Sequence, residues 1–390
     1  MTGYGVPQDR DWNRTDDSEF RALVRQAFAG YPAHLRSPSR RLLWREQSAW
    51  WLQMATRGWI APNWPQEFGG MGLDSAKLLI FHEEQERAGI ARFQDHGVRM
   101  VGPTLFRFGT KEQQRRFLPA ILTCDHRYAQ GYSEPGSGSD LASLRTRAVR
   151  GGDDWVVTGT KIWTTMAHDV THLFLLARTS TDGRPQQQIS FFLLDLSSPG
   201  VTIRTIRDMA GEEELCEVFL DAVRIPAENL IGPVNEGWTV AKSVLGFERL
   251  HVGSPQLPES ALHLLDRVVR ARGLEHDPVF ADQLAQLELD VSHLKAAFAL
   301  FAAELRTGGV LGPEVSLLKL WATETFQRIA DAVIESAGPA GALKRGEVVN
   351  DEEMEVLGAY YRARPSTIYG GTSEVQRNII AKQVLKLPSV

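Results

Sequence analysis

Residues 126–232 constrain the fold more than any other part of this 390-residue chain. LRTRAV and WVVTGTKIW alternate in polarity on either side of Gly151-Gly152-Asp153-Asp154, the pattern of a β-hairpin around a turn. THLFLLART, QISFFLLDL, VTIRTI and CEVFLDAVRI follow, each short and bounded by Gly, Pro, Asp or Ser. Their alternation is partial, as expected for a closed or two-layered sheet. The patterns upstream and downstream are helical, so the strands form an island in a helical protein. Hydropathy alone goes no further than mixed α and β, mostly helical.

Before the island, SEFRALVRQAFAG and RRLLWREQSAWWLQMATRG carry apolar residues at helical spacing, the first behind an N-cap-like Asp-Asp-Ser. WIAPNWPQEFGGMGLD reads as a loop held by Trp59, Trp64 and Phe68, and three short helices fill the way to residue 125. The aromatic stripes are expected to be core. Ala227–Gly232 is expected to leave the sheet, and residues 234–390 to return to helix. GWTVAKSVLGFERLHVG should end or kink at Pro255 and Pro258, because proline removes a helical donor. The leucine- and alanine-rich segments beyond fit a bundle. This gives three domains: 1–125, 126–233 and 234–390.

Composition excludes several classes. A net charge of −5 leaves no footprint for nucleic acid or an anionic membrane. Cys124 and Cys216 stand far apart without CxxC spacing, which excludes a disulfide scaffold and a cysteine zinc site. No metal motif is present. The start, MTGYGVPQDRDWNRTDD, lacks the apolar core of a secretory leader, and no apolar run approaches the roughly 18 residues of a membrane span. A cytoplasmic setting is expected. A GxGxxG after a strand, a GxxxxGK[ST] and an HExxH are all missing, so a Rossmann dinucleotide site is unsupported.

The motifs that remain lie at two places. Ser133-Glu134-Pro135 and Gly138-Ser139-Asp140 precede the hairpin, in a loop where Gly131, Gly136 and Gly138 let the backbone turn sharply and approach a ligand, and Lys161-Ile162-Trp163-Thr164-Thr165 ends the hairpin. Tyr369-Gly370-Gly371-Thr372 lies near the C-terminus. In this order they resemble the signature of the acyl-CoA dehydrogenase family, and the resemblance runs from about residue 40 to 385. It implies an α+β chain with an N-terminal helical domain, a middle β-barrel or sandwich domain and a C-terminal four-helix bundle. It also implies FAD, an acyl-CoA substrate and electron-transfer flavoprotein or a similar acceptor. A homo- or hetero-oligomer, dimer or tetramer, is implied as well.

The resemblance assigns roles residue by residue. Ser133 would contact the redox-active edge of the flavin, with Tyr132 close by. Trp163 would lie beside the isoalloxazine, and Thr165 would bond its far edge. Ser139 falls where the family contacts cofactor and the CoA arm, and Thr372 and Glu374 fall on the adenosine side. Arg249 and Lys382 would face CoA. Many relatives carry a catalytic glutamate where this chain has Gly370. Abstracting a proton α to a thioester still needs a base, and Glu248, before Arg249, is the candidate. Gly370 retains its backbone N–H, which in the family polarises the thioester carbonyl. The expected reaction removes the pro-R α-proton, passes the β-hydride to flavin N5 and leaves a trans-2-enoyl-CoA.

Two departures point elsewhere. By spacing, Ala281 and Glu335 stand where the family reaches a neighbour's flavin pyrophosphate, and an acidic group there would repel it. A non-catalytic or half-site subunit of a heteromer is therefore an alternative. A flavin monooxygenase on the same fold is another; Glu248-Arg249 argues against it.

Overall fold

The computed structural model describes residues 4–36, 40–91, 93, 95–306, 311–343, 347–349, 352–354 and 356–388, with backbone alone at 244–251, 305–306, 347–349 and 352–354. These residues fall into two compact units, Met1–Val244 and Leu245–Val390.

In the first unit, helices α1 (Asp17–Phe28), α2 (Trp44–Thr56), α3 (Ser75–Arg87), α4 (Gly102–Phe108) and α5 (Lys111–Leu122) precede the sheet. Helix α1 starts at Asp16, whose carboxylate accepts from the Ser18 and Glu19 amides. Its Phe20, Val24 and Phe28, four residues apart, form one buried face. Phe28 packs edge-on against Trp50, Trp59 and Phe81. The aromatic stripes are core, as expected. Beside this face, Arg21 and Arg25 bind the buried Glu84 of α3 at 3.0 and 2.8 Å.

The strands are β1 (Tyr128–Gly131), β2 (Arg147–Gly151), β3 (Asp154–Thr165), β4 (His172–Arg178), β5 (Ile189–Asp195), β6 (Val201–Ile206), β7 (Leu215–Pro226) and β8 (Leu230–Ile231). They form one sheet in the order β6-β7-β3-β2-β4-β5-β8, with β1 parallel to β4. Strands β3 and β5 are three places apart, which in a flat sheet means roughly 14 Å. Yet Trp155 of β3 and Phe192 of β5 have ring centroids 5.6 Å apart. The sheet therefore folds over on itself around a shared core that includes Val157, Leu175, Phe192, Val218 and Ile225. Strands β4 and β5 are buried on both faces. Leu175 and Phe192 face this core, while Phe174 and Phe191 stack on each other and meet Tyr132. That double burial explains why HLFLLAR and ISFFLLD are nearly continuous apolar runs. Leu230-Ile231, expected outside the sheet, pairs with Phe192 and Phe191 as β8.

Helix α6 (Gly237–Val252) ends before Pro255, and α7 (Gln256–Ala271) begins after it, so the expected interruption is present. Helices α8 (Pro278–Arg306), α9 (Ser316–Ala337) and α10 (Val356–Ala363) complete a bundle with α7. Its core joins Leu265 and Val269 of α7, Leu287 and Val291 of α8, Phe326, Ile329 and Val333 of α9, and Val356 of α10. One expectation fails here: the segment is not wholly helical. Before α10, β9 (Glu347–Val349) and β10 (Glu352–Met354) make a small antiparallel ribbon. Helix α11 (Ser373–Ile379) follows the Tyr369–Thr372 turn and runs into a wider helical turn, Ile380–Val384.

Candidate functional site

The first motif folds as a loop laid against a strand. A pair of backbone bonds between Glu134 and Ser137 closes a tight turn over Pro135-Gly136. Gly136 and Gly138 do not take the left-handed conformation, and a Cβ on either would meet nothing. Their effect is thus to leave the backbone uncovered, not to permit the turn. Beside the loop lies a cleft of about 340 Å³ lined by Glu134, Gly136, Ser143, Arg145 and Thr160.

Strand β3 carries the second half of the motif. Opposite β7, Lys161 pairs with Val218 but Thr164 with Cys216, so β3 holds one extra residue between them. Such a bulge re-aims a side chain. At it Trp163 takes φ +60°, a conformation a bulky residue rarely adopts, and 56% of its surface is exposed. The Thr164 hydroxyl is buried with no hydrogen-bond partner among the described residues. The Ile162 amide donates to the Ser133 carbonyl at 2.9 Å, so Ser133, half-buried, lies beside this bulge. Thr165 is half-buried and pairs with Leu215. Tyr132 is buried with its ring edge-on to Phe174. Ser139 is exposed, and its neighbour Asp140 accepts from the Ser137 and Ser143 hydroxyls. An aromatic plane held outward by a strained backbone, next to a small polar loop, fits a flat ring with a polar edge. A flavin is such a ring.

Reading the sequence missed what joins loop and strand. The Glu134 carboxylate accepts from Lys161 Nζ at 2.8 Å and from the Arg145 and Thr146 amides at 2.6 and 2.9 Å. Lys161 Nζ also donates to the Tyr132 carbonyl at 3.3 Å. The Lys161 side chain is 0% exposed and that of Glu134 7%. Burial works to raise the Glu134 pKa, but the Lys161 charge and the hydrogen bonds outweigh it and hold it below its ordinary value. Burial pulls Lys161 down to about 8, against the attraction of Glu134. Both residues were visible in the motif; their pairing across 27 positions was not.

The C-terminal motif is a turn built on backbone conformation. Gly370 and Gly371 have φ of +64° and +88°, a region glycine enters without steric cost. Gln376, 1% exposed, donates Nε2–H to the Gly370 and Gly371 carbonyls at 3.0 and 3.4 Å. Thr372 caps α11, its hydroxyl accepting from the Val375 amide at 3.2 Å. Glu374 is exposed in the first turn of that helix, and Lys382 is exposed beyond it. Gln376 is a second residue that reading the sequence passed over. At the opposite end of α9 from its start, Glu335 is exposed and accepts from Gln283 of α8 at 3.5 Å, close to Ala281 in sequence. Glu248 and Arg249 fall on α6, but their side chains lie outside the described residues. Among the described residues, no group of His, Cys, Asp and Glu could hold a metal ion, and no helix is long and apolar enough to cross a membrane.

Three family models match the chain. They describe the N-terminal domain of acyl-CoA dehydrogenase at residues 15–125, the middle domain at 129–223 and the C-terminal domain at 235–385. Acyl-CoA dehydrogenase IpdE1 of Mycobacterium tuberculosis is 37% identical over 385 residues, covering 96% of this chain and 98% of that protein. Among solved structures, the Tcur3481-Tcur3483 steroid ACAD superposes with a TM-score of 0.85 at 28% identity, covering 96% of this chain and 98% of its own. The ChsE4-ChsE5 complex of Mycobacterium tuberculosis gives 0.81 at 30% identity, covering 96% and 98%. With helical parts on either side of a central sheet and three matching domains, the chain belongs to the acyl-CoA dehydrogenase family, a family of oxidoreductases.

Proposed function

We propose that this chain binds FAD and oxidises an acyl-CoA thioester to its trans-2-enoyl-CoA. The observation that carries this reading is the exposed, strained Trp163 on the bulge beside Ser133. In it, Tyr132, Ser133, Trp163 and Thr165 hold the ring, and Ser139, Thr372 and Glu374 hold the rest of the cofactor. When bound, FAD supplies the hydride acceptor. Glu248 takes the α-proton onto its carboxylate as the β-hydride leaves and the double bond forms. The Gly370 N–H donates to the thioester oxygen, stabilising the charge that develops there. Arg249 and Lys382 neutralise the CoA phosphates. Electrons leave to electron-transfer flavoprotein or a similar acceptor, and the setting is cytoplasmic. Domain limits of 1–125, 126–233 and 234–390 go with this reading, and the matched family domains support them.

For the acyl group we favour a polycyclic one. The support is the likeness to a steroid ACAD, together with the break between α6 and α7, which in this reading shapes one wall of the acyl pocket.

The test is flavin content per chain followed by anaerobic bleaching with steroid-type and straight-chain acyl-CoAs. About one flavin per chain, bleached faster by the steroid-type thioester, is expected. A flavin-loaded chain that no acyl-CoA bleaches, but that consumes oxygen with reduced flavin, would overturn the dehydrogenase reading. Glu248→Ala should lower turnover by about 10²–10⁴ while flavin stays bound.

A second reading has its own observation. Glu335 is exposed, accepts from Gln283 two residues after Ala281, and carries the wrong charge for a pyrophosphate. In this reading the chain is a non-catalytic or half-site subunit beside an unlike partner. The ChsE4-ChsE5 pairing lends support, as does an exposed stripe of Ala285, Leu289, Ser292, Ala296 and Leu300 on α8. Little flavin in the chain purified alone, restored on adding a partner subunit, would favour it.

A further inference from the structure

The bulge at Trp163 raises a mechanical question: what holds it? The β3–β7 ladder frames it at Lys161 and at Thr164 but leaves the two residues between them, Ile162 and Trp163, without a partner position on β7. Trp163 is not held by burial either, being 56% exposed. A side chain in a sparsely populated backbone conformation persists only when its surroundings over-determine it.

The bonds that cross from the loop to this point are few and specific. Ile162 N–H donates to Ser133, and Lys161 Nζ reaches both Glu134 and the Tyr132 carbonyl. Glu134 in turn grips the Arg145 and Thr146 amides at the foot of β2. One buried ion pair thus ties together the loop at 132–134, the chain at 145–146 and the start of the bulge. Its two members are sequence neighbours of the ring-facing residues: Glu134 follows Ser133, and Lys161 stands two before Trp163. Stability alone is a poor reason for such a pair, since a buried ion pair is often no better than an apolar replacement of the same shape. Directional bonds from a fixed carboxylate do what an apolar pair does not, which is to set one distance between three segments.

We propose that Glu134 and Lys161 are positioning residues that fix Ser133 and Trp163 relative to one another, so that the two meet opposite parts of one flavin ring. The inference rests on the flavin reading above. It assigns neither residue a contact with the cofactor.

The test uses the full-length apoprotein titrated with FAD, read by affinity, by the visible spectrum of the bound flavin and by the thermal midpoint. The variants are Glu134→Gln, Lys161→Met and the double Glu134→Gln/Lys161→Met. Each single change leaves a buried group without its partner and should lower the midpoint. The double change removes both charges and should recover most of it. Positioning predicts that the double variant, though refolded, still binds FAD about tenfold or more weakly, the loss expected from roughly one or two directional bonds. It also predicts an altered visible band, since the ring's neighbours have moved. Wild-type affinity and spectrum in the double variant would overturn the inference and leave the pair a structural one.

Glu134→Asp keeps the test sound if the double variant does not fold. It retains the charge but draws the carboxylate back by one methylene, so it should weaken FAD binding by about threefold or more with the spectrum altered, less than a full bond's worth. Unchanged binding there would also overturn the inference. A wild-type chain that takes up no FAD, alone or with a partner subunit added, would instead sink the flavin reading, and this inference with it.

Discussion

The loop at 131–146 and the turn at 369–376 are both motif-bearing, but they are held by different means. The loop is anchored by charge: a buried carboxylate bound to a buried ammonium and to two amides. The turn is anchored by two left-handed glycines and one neutral side-chain amide. In the proposed function, the difference follows from what each presents. The loop and its bulge offer side chains, Ser133 and Trp163, whose directions depend on several segments at once. The turn offers a backbone N–H at Gly370, whose direction is set once the peptide planes of the turn are set. In that reading a glycine at residue 370 still gives the part of the turn that the backbone supplies.

Removing the ammonium breaks this comparison most sharply. Lys161→Met leaves Glu134 ionised, buried and short of its main partner, which should cost about 3–5 kcal/mol. Urea unfolding followed by tryptophan fluorescence, dominated by the first unit, measures it. A loss under about 1 kcal/mol, no more than an exposed pair gives, would mean that the charge is not the anchor.

The first unit uses charge a second time. Glu84, between Arg21 and Arg25, is held down to about 2, chiefly by its hydrogen bond to Arg25. Between its ordinary value of 4.5 and about 2, the unfolded chain binds this proton and the folded chain does not. Its contribution is therefore present above pH 4.5 and lost as the pH falls through that window. Hydrogen exchange across α1 and α3 should lose protection there, while the amides of 370–376 keep theirs. Glu84→Gln should remove the pH dependence and cost about 1.5–3 kcal/mol, the range for hydrogen bonds to a charged group. Buried Asp95 works in the opposite sense, because burial lifts it to about 6, so the local readout, not global stability, separates the two.

How much of this was legible beforehand differs between the two regions for physical reasons. Helix α1 was legible because Phe20, Val24 and Phe28 repeat at helical spacing behind a capping aspartate. Strands β4 and β5 were legible as apolar runs, and their double burial explains the missing alternation. Strand β8 was not, because two residues between Asn229 and Gly232 carry no period. The bulge at Trp163 left no trace, since no glycine marks it. The motif residues were found through resemblance, but the Glu134–Lys161 bond is a tertiary fact. Gln376 was passed over because its partners are carbonyls, which every residue has.

On the other side of the comparison, Gln376→Leu should loosen the turn. It removes two neutral hydrogen bonds to the Gly370 and Gly371 carbonyls, a loss of about 1–2 kcal/mol. In the proposed reaction this should appear in kcat more than in KM, because the Gly370 N–H acts on charge that develops in the transition state. A raised KM with kcat unchanged would place Gln376 in substrate binding instead.

The smallest expected effect on the fold is at Trp163. Trp163→Gly removes a side chain that is 56% exposed and places glycine where φ is +60°. Relief of the left-handed strain, about 1–2 kcal/mol, is offset by glycine's extra freedom in the unfolded chain, roughly 0.5–1 kcal/mol, and by the burial lost. The apoprotein should therefore change by less than about 1 kcal/mol on unfolding, while FAD binding weakens severalfold with the loss of one aromatic contact. Stability that falls in step with FAD affinity would instead make Trp163 a packing residue, and the strain at the bulge would no longer point to a ligand.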